Sequence, residues 1–236
     1  MNLLLVKFGK KEHLEQLRNG IVHFSTLDVY QHDLTKYRGD NMEGKLLLDP
    51  SKPFLIDGTD ISPLIQRVEI SYETDCPLLS FSASMLSVKN CHVLSNGLYT
   101  INETFLNEMR QFGEHFLLLN AFEFVDALID EFKKTQSDYE YHPITYIDKN
   151  DHRRIEEHFA ELPDEKKEFG HLFIKDTANS YPLQNEWRFV VFDIHNHYST
   201  KQSKGTNIKT AFFSQMPVMG TDSLSTLRCS KEFLFN

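Results

Sequence analysis

The strongest constraint on the fold of this chain is a short apolar strand that runs straight into a capped helix. Phe116 to Leu119 reads as a buried strand ended by Asn120. Asn120 and Glu123 have capping-box spacing, and Phe124, Val125, Leu128, Ile129 and Phe132 follow at helical intervals. A second such unit opens the chain. Leu3 to Phe8 reads as a strand, and Lys10 to Asn19 as a helix carrying His13, Leu14 and Leu17 on one side. Asn19-Gly20 stops that helix, and Ile21 to Phe24 reads as the next strand. Strands and helices interleaved in this way predict the mixed α/β (α+β) class.

Further strands are expected at Lys45 to Leu48, Val68 to Tyr72, Pro77 to Ser82, Ile144 to Ile147, Trp187 to Ile194 and Lys209 to Phe213. Helices are expected at Asn102 to Phe112 and Asp151 to Leu162, and a polar turn at Gly220 to Ser225. Ser25 to Gly44 reads as a polar loop with one helical turn at Leu27 to Tyr30. With 236 residues, 40% hydrophobic, and neither a repeat nor a low-complexity linker, a single domain spanning residues 1–236 is expected.

Composition narrows the function classes. The longest apolar runs fall far short of the ~20 residues needed to cross a bilayer, and the N-terminus carries no basic leader. A cytoplasmic location without membrane contact is therefore expected. Cys76, Cys91 and Cys229 are odd in number and widely spaced, which suits reduced thiols better than a disulfide framework. A net charge of −9 argues against a broad nucleic-acid-coating surface. No phosphate-loop, dinucleotide or nucleophile-elbow motif is present. His195-Asn196-His197 offers two imidazoles with no third ligand at a suitable spacing, so no metal site is assigned. Adjacency of Cys91 and His92 does not make a nucleophile and base, since neighbours on a strand point apart.

Two segments gather polar groups. Glu186 directly precedes an apolar strand in Gln184-Asn185-Glu186-Trp187-Arg188, and Arg188 shares its face if the strand is regular. A carboxylate at such a strand mouth can accept a hydrogen bond from a sugar hydroxyl or stabilise positive charge. The plainer reading is a surface Glu-Arg pair beside a buried Trp. Arg38-Gly39-Asp40-Asn41-Met42-Glu43-Gly44 sets one Arg and two carboxylates between glycines, suited to a ribose or phosphate or to an ordinary polar turn. Ser25 and Thr26 stand where hydroxyls either cap the Leu27 turn or meet a ligand.

Taken together, Leu3 to Glu43, the segment Pro77 to Ser82, and Phe173-Ile174-Lys175 followed by Asn185 to Arg188 resemble an uncharacterised bacterial and phage domain family. That family has an N-terminal FNDPfE-type loop and a closing E-x-E-W-R-type strand. Strand order and the late Glu are in turn similar to the ADP-ribosyltransferase-like superfamily. The resemblance implies a bent, mixed or split β-sheet with peripheral helices. It also implies NAD as substrate and transfer of ADP-ribose to a macromolecular acceptor, whether protein, DNA or RNA, in a toxin or phage-defence setting. Glu186 takes the catalytic position at the edge of a cleft. Lys7 stands where the superfamily has His or Arg, and Ser25 and Thr26 take the second-strand hydroxyl position. Arg38 or Lys7 would hold the pyrophosphate and Tyr30 would stack on nicotinamide. Asp40, Glu43, Ser82 and Arg188 complete the implied cofactor site. The alternative is a catalytically silent nucleotide- or protein-binding module of the same fold, partnered by an antitoxin or phage protein. A metal-dependent nuclease is a third reading, resting only on the eleven histidines.

Overall fold

A computed structural model describes residues 3–33, 40, 43–48, 55–56, 58–60, 68–71, 78–167, 169–177, 181–193, 195, 197–198 and 204–235. Strand β1 (Leu4–Gly9) leads into helix α1 (Lys11–Arg18), which buries Leu14 and Leu17, and Asn19-Gly20 returns the chain into β2 (Ile21–Thr26). Gly20 is required here: its φ is +81°, and a Cβ would lie 2.5 Å from the carbonyl oxygen of Phe212. Helix α2 (Leu27–His32) follows. Two small antiparallel ladders come next, β3 (Lys45–Leu48) with β6 (Val68–Ser71), and β4 (Leu55–Ile56) with β5 (Thr59–Asp60).

Beyond them lie β7 (Leu78–Met85), the hairpin of β8 (Cys91–Val93) and β9 (Tyr99–Ile101), α3 (Glu103–Met109), β10 (His115–Asn120) and α4 (Ala121–Thr135). The expected cap is present. Asn120 Oδ1 accepts from the N–H of Phe122 at 3.1 Å, and its amide donates to Glu123 Oε1 at 3.2 Å. Phe124, Leu128 and Phe132, spaced by four, form the fully buried stripe of α4.

The remainder comprises β11 (Asp138–Pro143), β12 (Thr145–Tyr146), α5 (His152–Glu161), α6 (Asp164–Lys167), β13 (Ile174–Lys175), α7 (Tyr181–Gln184), β14 (Glu186–Phe192), β15 (Gly205–Lys209) and β16 (Met219–Gly220). Among the described residues, no helix is long and apolar enough to cross a membrane.

Eight strands form the main sheet in the order β11-β14-β7-β1-β10-β16, with β2 also pairing β7 and β15 pairing β2. Every pairing within it is antiparallel. The expected α/β class with peripheral helices is present, and among the described residues the main sheet has no parallel pair. A strand-helix-strand order usually makes parallel neighbours, yet here β1 and β2 both run antiparallel to β7 and sit end to end along its side. Leu5 and Val6 pair with Met85 and Ser84, whereas Ser25 and Thr26 pair with Ser80 and Leu79. The sheet is thus split beside residues 81–83 of β7. One face carries an aromatic core in which Phe24, Phe81, Phe124, Phe132 and Phe189 pack with Leu5 and Trp187.

The strand expected at Lys209 to Phe213 lies earlier, at Gly205–Lys209. Phe212 is buried, but the backbone after Lys209 turns toward the end of α1. There the N–H of Thr210 donates to Gly20 and that of Ser214 to Arg18. Apolar content marked the burial of Phe212, whereas Phe213 is 56% exposed and, among the described residues, 210–213 pair with no strand.

Candidate functional site

Pairing between β7 and β14 sets which side chains share a face. Ser84 lies opposite Glu186 and Ser82 opposite Arg188, so these four point away from the aromatic core, while Trp187, Phe189 and Val191 point into it. Glu186 is delivered by a strained joint. Asn185 follows α7 with φ 46°, a left-handed conformation that Asn tolerates better than most residues. Its carbonyl accepts from the N–H of Met85 at 2.8 Å, and its side-chain amide donates to the Met85 carbonyl at 2.8 Å and to Ser87 Oγ at 2.9 Å. The first residue of β14 is thereby fixed against the end of β7.

Four charges meet below that joint. Glu186 Oε2 accepts from Lys175 Nζ at 2.6 Å. Its Oε1 accepts from Ser82 Oγ at 2.6 Å and from Arg188 Nη2 and Nε at 2.9 and 3.1 Å. Arg188 Nη1 donates to Glu43 Oε1 and, at 2.6 Å, to the carbonyl of Leu172. Lys175 Nζ also lies 3.7 Å from Glu43 Oε2. The Glu186 N–H donates to the Tyr146 hydroxyl at 2.9 Å. Glu43, Lys175, Glu186 and Arg188 are at most 6% exposed, so two carboxylates and two cations neutralise one another out of water.

The electrostatics follow from this packing. Burial alone would push the Glu186 carboxyl up, but Lys175 and Arg188, reinforced by hydrogen bonds from Lys175 and Ser82, hold it well below the usual carboxylate range. Burial opposes the charge of Lys175 and of Arg188 as well. The two carboxylates outweigh it and raise both cations. Burial raises the Tyr146 phenol, as does the nearby Glu186 charge.

The sequence-derived residues divide as follows. Glu43, Ser82, Glu186 and Arg188 form the cluster itself. Tyr30, on α2, adjoins it: burial raises its phenol, a hydrogen bond with Ser25 opposes that, and the Glu186, Arg188 and Lys175 charges all act on it. Asp40 donates its N–H to the Tyr30 carbonyl and accepts from the Glu43 N–H, and its carboxylate lies 3.6 Å from the buried Lys149 ammonium. Thr26 pairs with Leu79 in the β2–β7 ladder and is buried. Lys7 goes to the split in the sheet, where its ammonium donates to the Ser82 carbonyl and lies 4.6 Å from the Phe81 ring centre. Arg38 and Cys76 lie outside the described residues.

Two expectations are corrected. Glu186 opens its strand as expected, but it is sealed from solvent and not set at an exposed cleft edge, and the plainer reading of a surface Glu-Arg pair fails on the same burial. Sequence reasoning also left out Lys175, Lys149 and Tyr146. Of these only Lys175 carried a signal, as the last residue of the Phe173-Ile174-Lys175 segment.

Elsewhere, the His195 and His197 rings are 5.4 Å apart. Among the described residues, no group of three or more His, Cys, Asp or Glu is placed to hold a metal ion. Cavities of about 240 and 450 Å³ flank β11, and neither is lined by Glu186. Comparison of the chain with family models, curated proteins and solved structures gives no match.

Proposed function

We propose that the chain is an NAD-using mono-ADP-ribosyltransferase that modifies a macromolecular acceptor as a toxin or phage-defence effector, with Glu186 as its catalytic carboxylate. The observation that carries this reading is the convergence of β7, β13 and β14 on one carboxylate that is kept ionised, with Glu43 engaging the same two cations, Lys175 and Arg188, from the other side. Breaking the nicotinamide N-glycosidic bond develops positive charge on the ribose carbon. A carboxylate that stays anionic can stabilise that charge and accept a hydrogen bond from a ribose hydroxyl, whereas a protonated one cannot. Hydrogen-bonding capacity remains on the same face. Among the described residues, Glu43 Oε2 and Ser80 Oγ are buried without a hydrogen-bond partner, and either can take up a ligand hydroxyl.

One observation favours a second reading, a silent nucleotide-binding module of the same fold. Both Glu186 oxygens are already engaged by Lys175, Arg188 and Ser82, so a substrate must displace one of these donors before it reaches the carboxylate.

The deciding experiment incubates the protein with NAD and follows nicotinamide release together with the melting temperature. Turnover in the wild type that is lost in Glu186→Asp, which keeps the charge and withdraws the oxygens, supports the transferase. An NAD-dependent rise in melting temperature without nicotinamide release supports the binding module. Neither release nor a shift removes both readings.

A further inference from the structure

The 240 Å³ cavity lies on the Glu186 face of the sheet, one strand further out. Glu140 and His142 of β11 pair with Val190 and Arg188 and share their face, and they form one wall. Phe169 and Phe173 form another, and His158 and Leu162 from the end of α5 close the third side.

The walls are held in place from behind. His142 Nε2 is 3.1 Å from Glu140 Oε2, and its ring stands edge-on to Phe173 with centres 5.1 Å apart at 89°. Phe169 packs on Phe192 at 4.5 Å. Gly170 allows this fit, because a Cβ there would lie 2.6 Å from Leu162 and 2.9 Å from Phe159. The cavity is therefore shaped by fixed side chains before any ligand arrives.

We propose that this cavity is a ligand site, distinct from the Glu186 cluster, that takes a planar heteroaromatic ring with N–H donors, a nucleobase or a molecule like one. Size sets the first limit: about 240 Å³ falls below the ~300 to 1,000 Å³ of pockets that hold drug-sized ligands, so it suits one ring system and not a whole dinucleotide. Chemistry sets the second. Phe169, Phe173, Pro143 and Leu162 offer flat apolar surface for ring faces. Glu140 accepts from ring or exocyclic N–H groups, and Thr145 and His158 can donate or accept at the ring edge. Burial holds the His158 imidazole below its ordinary value, with Glu161 opposing, which favours the neutral ring and suits a neutral partner. The site does not depend on any transfer chemistry at Glu186.

Calorimetric titration of the full chain with adenine, uracil and nicotinamide tests this, with agmatine as a non-aromatic cation. Saturable binding of at least one base is expected. It should weaken tenfold or more in Glu140→Ala, which removes the acceptor, and in His158→Trp, which fills the mouth, with folding checked by thermal melting. Binding should persist in Glu186→Asp even if that change abolishes NAD turnover. No saturable base binding, binding unchanged in both pocket variants, or tighter binding of agmatine than of any base would overturn the proposal.

Discussion

Lys175 donates to Glu186 across 2.6 Å with the two side chains only 6% and 8% exposed. Removing one partner at this depth leaves the buried group of two carboxylates and two cations one charge out of balance. Glu186→Gln should therefore cost about 3 to 5 kcal/mol, or roughly 6 to 20 °C in melting temperature for a domain of this size. Pairing it with Lys175→Met should return part of the loss, because the stranded cation goes too. A single variant that melts with the wild type would show that water reaches the pair.

Acid should act through the same carboxylate. The folded-state pKa of Glu186 is depressed, so its contribution is fully present above the unfolded value of about 4.3 and is lost as pH falls through the lower folded value. Lys175 is raised, so its contribution is full below about 10.4 and is lost only as pH rises through a higher value. Melting temperature should hold between these limits and fall steeply on the acid side. The acid slope should be shallower in Glu186→Gln than in wild type.

Much of the secondary structure was legible because it rests on local patterns. The Asn120 cap and the four-residue spacing of Phe124, Leu128 and Phe132 needed nothing from elsewhere in the chain. Strand β11 was not legible. Asp138-Tyr139-Glu140-Tyr141-His142-Pro143 is polar because it forms the outer strand of the sheet, and its pairing with β14 is set by a segment about fifty residues away. The end-to-end seating of β1 and β2 on β7 is a tertiary outcome that no local pattern carries. At the site, Glu186, Arg188 and Glu43 could be picked out as charged residues beside turns or strands. Their burial could not, since it depends on Lys175 arriving from β13 to balance the second carboxylate.

Asn185 offers a test of the joint that places Glu186. Asn185→Ala should cost about 1 to 3 kcal/mol, from left-handed backbone strain and the two lost side-chain hydrogen bonds. Asn185→Gly should cost less, because it relieves the backbone part. Chemical denaturation of the two variants side by side separates these contributions, and equal losses would assign the whole effect to the hydrogen bonds.

Cys91 should react slowly. Burial, with the neighbouring Cys229 thiol adding to it, pushes the Cys91 thiol up to about 12, and burial also raises Cys229. At pH 8 almost none of Cys91 is thiolate, the form that alkylates, and Cys229 holds less of it than a free thiol does. Timed iodoacetamide labelling read by peptide mass should show both lagging well behind a free thiol. Labelling of Cys91 at the free-thiol rate would contradict its partly buried placement against the apolar cluster that includes Leu86 and Phe105.

The division of β7 between two partners creates a strand rim in the interior of a sheet, at residues 81–83. Rims of this kind invite a foreign strand to zip on, and proteins defend their outer rims with charge, above all with lysine. Lys7 fills that interruption from within, its ammonium donating to the Ser82 carbonyl that β1 and β2 leave unpaired. The first strand thus supplies by a side chain the hydrogen bond that its backbone stops short of making.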